Sequence, residues 1–320
     1  MTSVITGVGA AVPTTIVDNA AFAHLGITDE WIFGRSGIRQ RYHLKPEERL
    51  VDLAVKAAEL ALADSELTAE DIDMVIVATS TPDHISPGLA AELAHLLGAS
   101  SVGAIDISGA CTGFLYALDY AMARVDQATS DRILVVGADA MSRLADPADA
   151  NTAFLFGDGA GAVIVQATSS TASCDCVQYL SFGSAGEGAD FLYVGRDTGR
   201  LKMDGSEVYA AAVDAMTEEV ENVLCACEFE KDDVDLAVCH QANARIVKAV
   251  GRELGLPTEK VVSYVAEFGN TSSASIPIAL WKAQNDNVLM PSNRVVLAAF
   301  GAGFTWGAGV INWKGCQHHE

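Results

Sequence analysis

The sequence predicts an α/β protein built from two similar halves, residues 1–170 and 171–320, packed face to face. Three observations lead there. Apolar runs alternate with helical patterns along the chain, as strands buried on both faces do. The chain also repeats itself at a fixed offset. Asp71-Ile72-Asp73-Met74-Val75-Ile76-Val77 returns as Asp233-Val234-Asp235-Leu236-Ala237-Val238-Cys239 (235 − 73 = 162), and Arg132-Ile133-Leu134-Val135-Val136-Gly137 returns as Arg294-Val295-Val296-Leu297-Ala298-Ala299 (294 − 132 = 162). Finally, 320 residues of which 50% are apolar are enough for a large core.

Taken in order, residues 1–13 read as a short strand without the basic start of a targeting segment. Helices are predicted over 50–62 and 87–97, and buried strands over 74–79 and 102–107. A helix over 112–128 leads to a strand over 132–136. The second half places helices over 208–226, 244–254 and 275–284. The uncharged run 295–313 is long enough to cross a bilayer, but five polar or glycine positions, Gly301, Gly303, Gly307, Gly309 and Asn312, make it two buried strands joined by a glycine turn. The sheets are expected to be mostly parallel.

A net charge of −22 excludes a general nucleic-acid surface and disfavours an anionic membrane; its plain reading is solubility. Seven cysteines at irregular spacing suggest reduced thiols in a cytoplasmic protein. Neither Cys174-Asp175-Cys176 nor Cys225-Ala226-Cys227 has zinc-knuckle spacing, and Cys316, His318 and His319 read as a tail, so no metal is expected.

Cys111 closes the run Ser108-Gly109-Ala110, where a buried strand turns into a helix start. A helix N-terminus favours thiolate, and small neighbours admit a substrate. A small buried hydrophobe fits the same position. Adding 162 to 111 lands in Gly269-Asn270-Thr271-Ser272-Ser273, a second small-residue helix start, and a pseudo-twofold would let the two face each other. His240 stands where an apolar strand ends, at the edge where α/β sites form, or else serves as a cap or core residue. Asn270 reads as a helix cap or a site residue. Gly301-Ala302-Gly303-Phe304 follows a strand and is placed to offer a backbone N–H. Gly157-Asp158-Gly159-Ala160-Gly161 lacks dinucleotide-loop spacing and is read as structural.

Together these segments, with Asp29-Glu30-Trp31-Ile32, Arg35-Ser36-Gly37-Ile38-Arg39 and Phe156-Gly157-Asp158-Gly159-Ala160-Gly161-Ala162, resemble β-ketoacyl-acyl-carrier-protein synthase III among the thiolase-fold condensing enzymes. The resemblance runs over nearly the whole chain. It implies a layered αβαβα, thiolase-like fold and decarboxylative Claisen condensation of an acyl-thioester primer with malonyl-acyl carrier protein. Cys111 would carry the acyl group, His240 and Asn270 would donate to the enolate, and the Cys111 and Gly303 N–H groups would hold the oxyanion. Phe304 would shape the pocket. Trp31, Arg35 and Asn243 match coenzyme A contacts, with acyl-coenzyme A a substrate and no separate cofactor. A homodimer is implied.

Two positions depart from the family's pattern. Ala150 stands where an arginine is usual, and Ser86 stands where short-primer members place an aromatic that reaches into the partner's acyl pocket, which predicts room for branched or longer primers. The segment 183–203 is also short. These keep open a starter-unit condensing or acyl-transfer role in a polyketide or other secondary-metabolite pathway. Arg245, Lys248 and Arg252 share one helix face after His240 and are predicted to dock the acidic carrier.

Overall fold

The computed structural model describes residues 2–168 and 179–314. Cys174, Cys176, Cys316, His318, His319 and the expected 170/171 boundary lie outside the described residues. The first half holds β1 (Thr2–Ala11), β2 (Thr15–Asp18), α1 (Asp29–Ser36), β3 (Gln40–His43), α2 (Leu50–Asp64), β4 (Met74–Ala78), α3 (Leu89–Leu97), β5 (Gly103–Ile107), α4 (Gly113–Asp126), β6 (Arg132–Ala140) and β7 (Asp158–Thr168). The second holds β8 (Tyr179–Ser184), β9 (Leu192–Val194), β10 (Leu201–Met203), α5 (Gly205–Ala226), β11 (Leu236–Cys239), α6 (Ala244–Glu253), α7 (Val265–Phe268), α8 (Ser275–Asn285), β12 (Arg294–Gly301) and β13 (Thr305–Asn312).

The helix expected from residue 87 begins at Leu89. Gly88 is extended, and the Asp106 carboxylate accepts the N–H groups of Leu89 and Ala90, each at 2.7 Å. That caps two donors which have no partner inside the helix.

Two sheets form, ordered β1-β7-β6-β4-β5 and β11-β12-β13-β8. The expectation of mostly parallel sheets is corrected. β4 is parallel to β5 and β6, and β11 to β12, but β7 and β13 each run antiparallel to both neighbours. Parallel pairing needs a long crossover. Only residues 302–304 separate β12 from β13, so the chain can only double back.

The offset of 162 holds in the folded elements. β4 and β11 start at 74 and 236, β6 and β12 at 132 and 294, α4 and α8 at 113 and 275. Even a cap repeats: the Asp73 carboxylate accepts the Arg132 N–H at 2.9 Å, and Asp235 accepts the Arg294 N–H at 2.7 Å. Among the described residues of the two large sheets, one strand does not repeat. Beside β11, where a counterpart of β5 would lie, there is a single bridge between Ala237 and Val261.

Burial sorts the elements into five layers. Along β4, Val75 and Val77 face a core with α2 and α3, while Ile76 and Ala78 face one with α4. That is the period of two expected of a strand covered on both sides. β11 and β12 behave alike: Val238 and Leu297 join the core of α4 and α8, while Val296 and Ala298 join that of α5 and α6. The order is helices, sheet, the central pair α4 and α8, sheet, helices. Run 295–313 is the β12–β13 pair, and no described helix is long and apolar enough to cross a membrane.

Candidate active site

Two matching turns carry the chemistry. Ala110–Thr112 and Ser272–Ala274 are each one short 3₁₀ turn that runs into a central helix. Each opens on a non-glycine residue in the left-handed region, Ala110 at φ 47° and Ser272 at φ 51°. Such backbone costs about 1–3 kcal/mol and persists only where the surroundings hold it. Here each turn is clamped by the opposite half. Gly301 of β12 lies against the Cys111 nitrogen, and Gly137 of β6 lies against the Ser273 carbonyl, with no room for a Cβ on Gly137. The Cys111 thiol and the Ser272 hydroxyl meet at 3.7 Å.

Both turns open on a cavity of about 750 Å³. Its inner wall includes the half-buried Cys111 with the buried His240, Asn270, Ser272 and Phe300; its solvent end includes Arg35, Asn243 and Arg245. Phe154, Leu192, Leu201 and Met216 are among its apolar lining. Three residues singled out from separate parts of the sequence therefore share one chamber.

The hydrogen bonds fix what each group offers. The Asn270 Oδ1 accepts the Ser272 N–H at 2.9 Å, an Asx-type turn just before the N-cap Thr271 rather than the cap itself, and the Nδ2 amide is the end left to donate. His240 Nδ1 lies 2.6 Å from the Ser275 hydroxyl, which itself accepts the Gln241 N–H at 3.3 Å. With the Ser275 hydroxyl as donor to Nδ1, the neutral ring would carry its proton on Nε2. Burial pushes the His240 pKa down to about 4, so the ring is neutral at physiological pH.

The thiol corrects an expectation. The helix start was expected to lower its pKa. Burial pushes it up to about 12, and the buried Asp139 charge adds to the rise, while the Ser272 hydrogen bond opposes it. Cys111 is half-buried and opens towards the cavity.

The remaining predicted residues fall in two groups. At the solvent end, the Arg35 guanidinium lies 5.2 Å from the Trp31 ring centroid, and Trp31 meets the cavity-lining Phe154 edge-on. Asn243 caps α6 through the Arg245 N–H and donates to the Arg35 carbonyl at 3.3 Å, tying α1 to α6. Arg245, Lys248 and Arg252 are exposed on one face of α6, with Arg252 paired to Glu253 at 2.7 Å. Ala150 lies between the lining residues Asp149 and Asn151. The others stand off the wall. Phe304 packs at 4.8 Å behind Phe300, which does line the cavity, and Ala302 rather than Gly303 is in the lining. Ser86 is exposed on a surface loop away from this chain's cavity.

Sequence reasoning missed Ser275 and Asp139. Asp139 is an aspartate at the carboxyl end of an apolar strand, which is a usable signal. Ser275 is an ordinary helix-start serine, and nothing in its neighbourhood points to His240.

Comparison with known proteins gives the family. The sequence profile of 3-oxoacyl-[acyl-carrier-protein] synthase III matches residues 105–182, and that of its C-terminal part matches 224–313. A β-ketoacyl-[acyl-carrier-protein] synthase III of Streptomyces coelicolor is 40% identical over 316 residues, covering 98% of this chain and 95% of its own. The crystal structure of 3-oxoacyl-[acyl-carrier-protein] synthase III from Aquifex aeolicus superposes with a TM-score of 0.93 at 35% identity, covering 97% of this chain and 100% of that one. A priming β-ketosynthase of a polyketide pathway superposes with a TM-score of 0.91 at 32% identity, over 98% and 96% of the two chains. With a thiolase fold and full-length likeness of this kind, the chain belongs to the 3-oxoacyl-[acyl-carrier-protein] synthase III family of condensing acyltransferases.

Proposed function

We propose that Cys111 takes an acyl group from acyl-coenzyme A, and that the acyl-enzyme then condenses with malonyl-acyl carrier protein to a β-ketoacyl product, the step that initiates fatty acid synthesis. The supporting observation is the convergence of the Cys111 thiol, the His240 imidazole and the Asn270 amide on one cavity. Attack of Cys111 on the thioester carbonyl expels the donor thiol. Loss of carbon dioxide from the malonyl group leaves an enolate. That anion needs donors more than a strong base, and a histidine with a pKa of about 4 is a donor. Each well-placed donor is worth about 2.7–4 kcal/mol of barrier. The enolate carbon then attacks the acyl-Cys111 carbonyl and releases the product.

Incubation with a panel of straight and branched acyl-coenzyme A donors, followed by intact-protein mass spectrometry, tests this. The wild-type chain should gain the mass of its preferred acyl group, and Cys111→Ala should gain none. Acylation of the Cys111→Ala chain at the same rate would remove the reading.

The exposed face of Arg245, Lys248 and Arg252 supports carrier docking there, next to the cavity's solvent end. Charge reversal at Arg245 and Lys248 should raise KM for malonyl-acyl carrier protein about tenfold, an effect that fades with salt. An unchanged KM at low salt argues against this face. A homodimer is supported by the open edge of β5, where Gly103, Ala104 and Ile105 are exposed, and by the projecting Ile85–Ser86 loop. The free thiols Cys225, Cys227 and Cys239 fit a cytoplasmic setting. A starter-unit role in a polyketide pathway uses the same chemistry and is kept open by Ala150, between the lining residues Asp149 and Asn151; the acyl group seen by mass spectrometry bears on it.

A further inference from the structure

A pair of threonines has no place in the condensation as described. Thr112, next to Cys111, is fully buried. Its hydroxyl donates to the Gly109 carbonyl at 2.6 Å, and its oxygen lies 2.9 Å from the Thr305 oxygen, where either hydroxyl can donate. Thr305 is the first residue of β13, and its hydroxyl also reaches the Ala302 carbonyl at 3.1 Å. A chain of hydrogen-bond contacts therefore runs from the nucleophile's turn to the turn between β12 and β13.

That second turn, residues 302–304, is also held at its far end. The Phe304 N–H donates to the Ala185 carbonyl at 2.7 Å, and the Ala185 N–H donates to the Phe304 carbonyl at 2.9 Å. Gly303 stands between the two anchors. The Thr305 methyl packs against it, since a Cβ built on Gly303 would sit 2.8 Å from the Thr305 Cγ2. Gly301, just before the turn, lies against the nucleophile: a Cβ there would sit 3.0 Å from the Cys111 nitrogen. Among the described residues no backbone carbonyl accepts the N–H of Gly303 or that of Cys111. Two adjoining turns thus each keep a backbone donor out of the main-chain network.

We propose that Thr305, linked to Thr112, is a positioning residue for acylation: it holds the 302–304 turn so that the Gly303 N–H, together with the Cys111 N–H, receives the oxyanion. The inference rests on acylation of Cys111 as read above. In that step the Cys111 sulfur bonds to the thioester carbon as the carbonyl pair moves onto oxygen. The pair then returns and the donor C–S bond breaks. The donor sulfur leaves with the bonding electrons and takes a proton from solvent, replacing the one Cys111 gave up.

Oxyanion donors act only when they are already in place, about 2.7–3.1 Å from where the charge develops. A misplacement of about 1 Å can cost 100-fold. Phe304 is pinned to Ala185, but that bond sets no distance between the turn and Cys111. The Thr305 hydroxyl does, because Thr112 is the next residue to the nucleophile. Valine would fill the same space, so what threonine adds is the link.

Two reactions of Cys111 separate this role from a general effect on the thiol. Acylation by acyl-coenzyme A passes through an oxyanion; alkylation by iodoacetamide displaces iodide and forms none. Both need the thiolate, so a change in thiol acidity or access moves them together. Thr305→Val should slow acylation by about 10- to 100-fold, while alkylation stays near the wild-type rate. Thr305→Ser, which keeps the hydroxyl, should acylate close to wild type. Thr112→Ala should lower the ratio of acylation to alkylation likewise, and the double variant should lower it no further, since both changes cut one link. Wild-type acylation in Thr305→Val overturns the proposal, as does a parallel fall in both rates or a double variant whose two defects multiply. Should Thr305→Val fail to fold, Thr112→Ala decides by the same ratio. A wild-type chain that alkylates yet gains no acyl mass overturns the acylation reading itself, and the positioning role with it.

Discussion

His240 sets an acid limit on the folded state as well as a role in the site. Its pKa falls from 6.5 to about 4 on burial, so between those values the unfolded chain binds a proton that the folded chain excludes. Stability therefore rises with pH across that window and is lost as pH falls from about 6.5 towards 4. The full contribution is about 3 kcal/mol. Urea unfolding at pH 7 and pH 4.5 should differ by an amount of that order, and His240→Gln should flatten the difference. A slope unchanged by the substitution would assign the acid loss to other groups. At this scale the sequence was legible where chemistry and position coincide. Cys111, His240 and Asn270 each mark the end of a strand or the start of a helix, which is readable from neighbours. Asp139 and Ser275 take their meaning from partners distant along the chain, Ser273 and His240, and only folding joins them.

The elements carry a constraint that single residues hide. Each left-handed turn rests on a strand of the other half, so the strand must be bare where they touch. Gly137→Ala would drive a methyl into the Ser273 carbonyl. Relief needs a shift of β6 or of the second turn, costing about 1–3 kcal/mol of stability. The same shift displaces Ser272 from Cys111, so the variant should melt earlier and also acylate more slowly. Differential scanning calorimetry with acylation rates checks both, and a variant as stable as wild type would mean the turn is less tightly held than its contacts indicate. Strand and helix identity was readable here from apolar periodicity and the repeat. Strand direction was not. β7 looks like β4 in composition, and what reverses it is the lack of a crossover helix between Ala140 and Asp158. α3 starts two residues late because Asp106, from the neighbouring strand, supplies the cap.

At the scale of the whole molecule the two halves share a core. Phe114, Leu118 and Met122 of α4 are buried with Ile276, Leu280 and Ala283 of α8, and with strands from both sheets. Neither half can bury that face alone. Residues 1–170 or 171–320 expressed separately should lack a cooperative transition by calorimetry, whereas the full chain should unfold in one step. Two resolved transitions in the full chain would mean that the halves are independent. The repeat made the two-half plan legible from sequence, and the layer order came with the family likeness.

The unrepeated strand has a consequence for assembly. A chain with exposed end strands at both pseudo-equivalent positions would hold two such sites, and copies joined through them could extend indefinitely. Here β5 is present on one side only, and its counterpart has shrunk to the Val261 bridge. Association through β5 pairs a surface with itself, uses it up in both copies and closes as a twofold. If copies associate through β5, its presence on one side alone would limit them to a closed pair rather than an open filament.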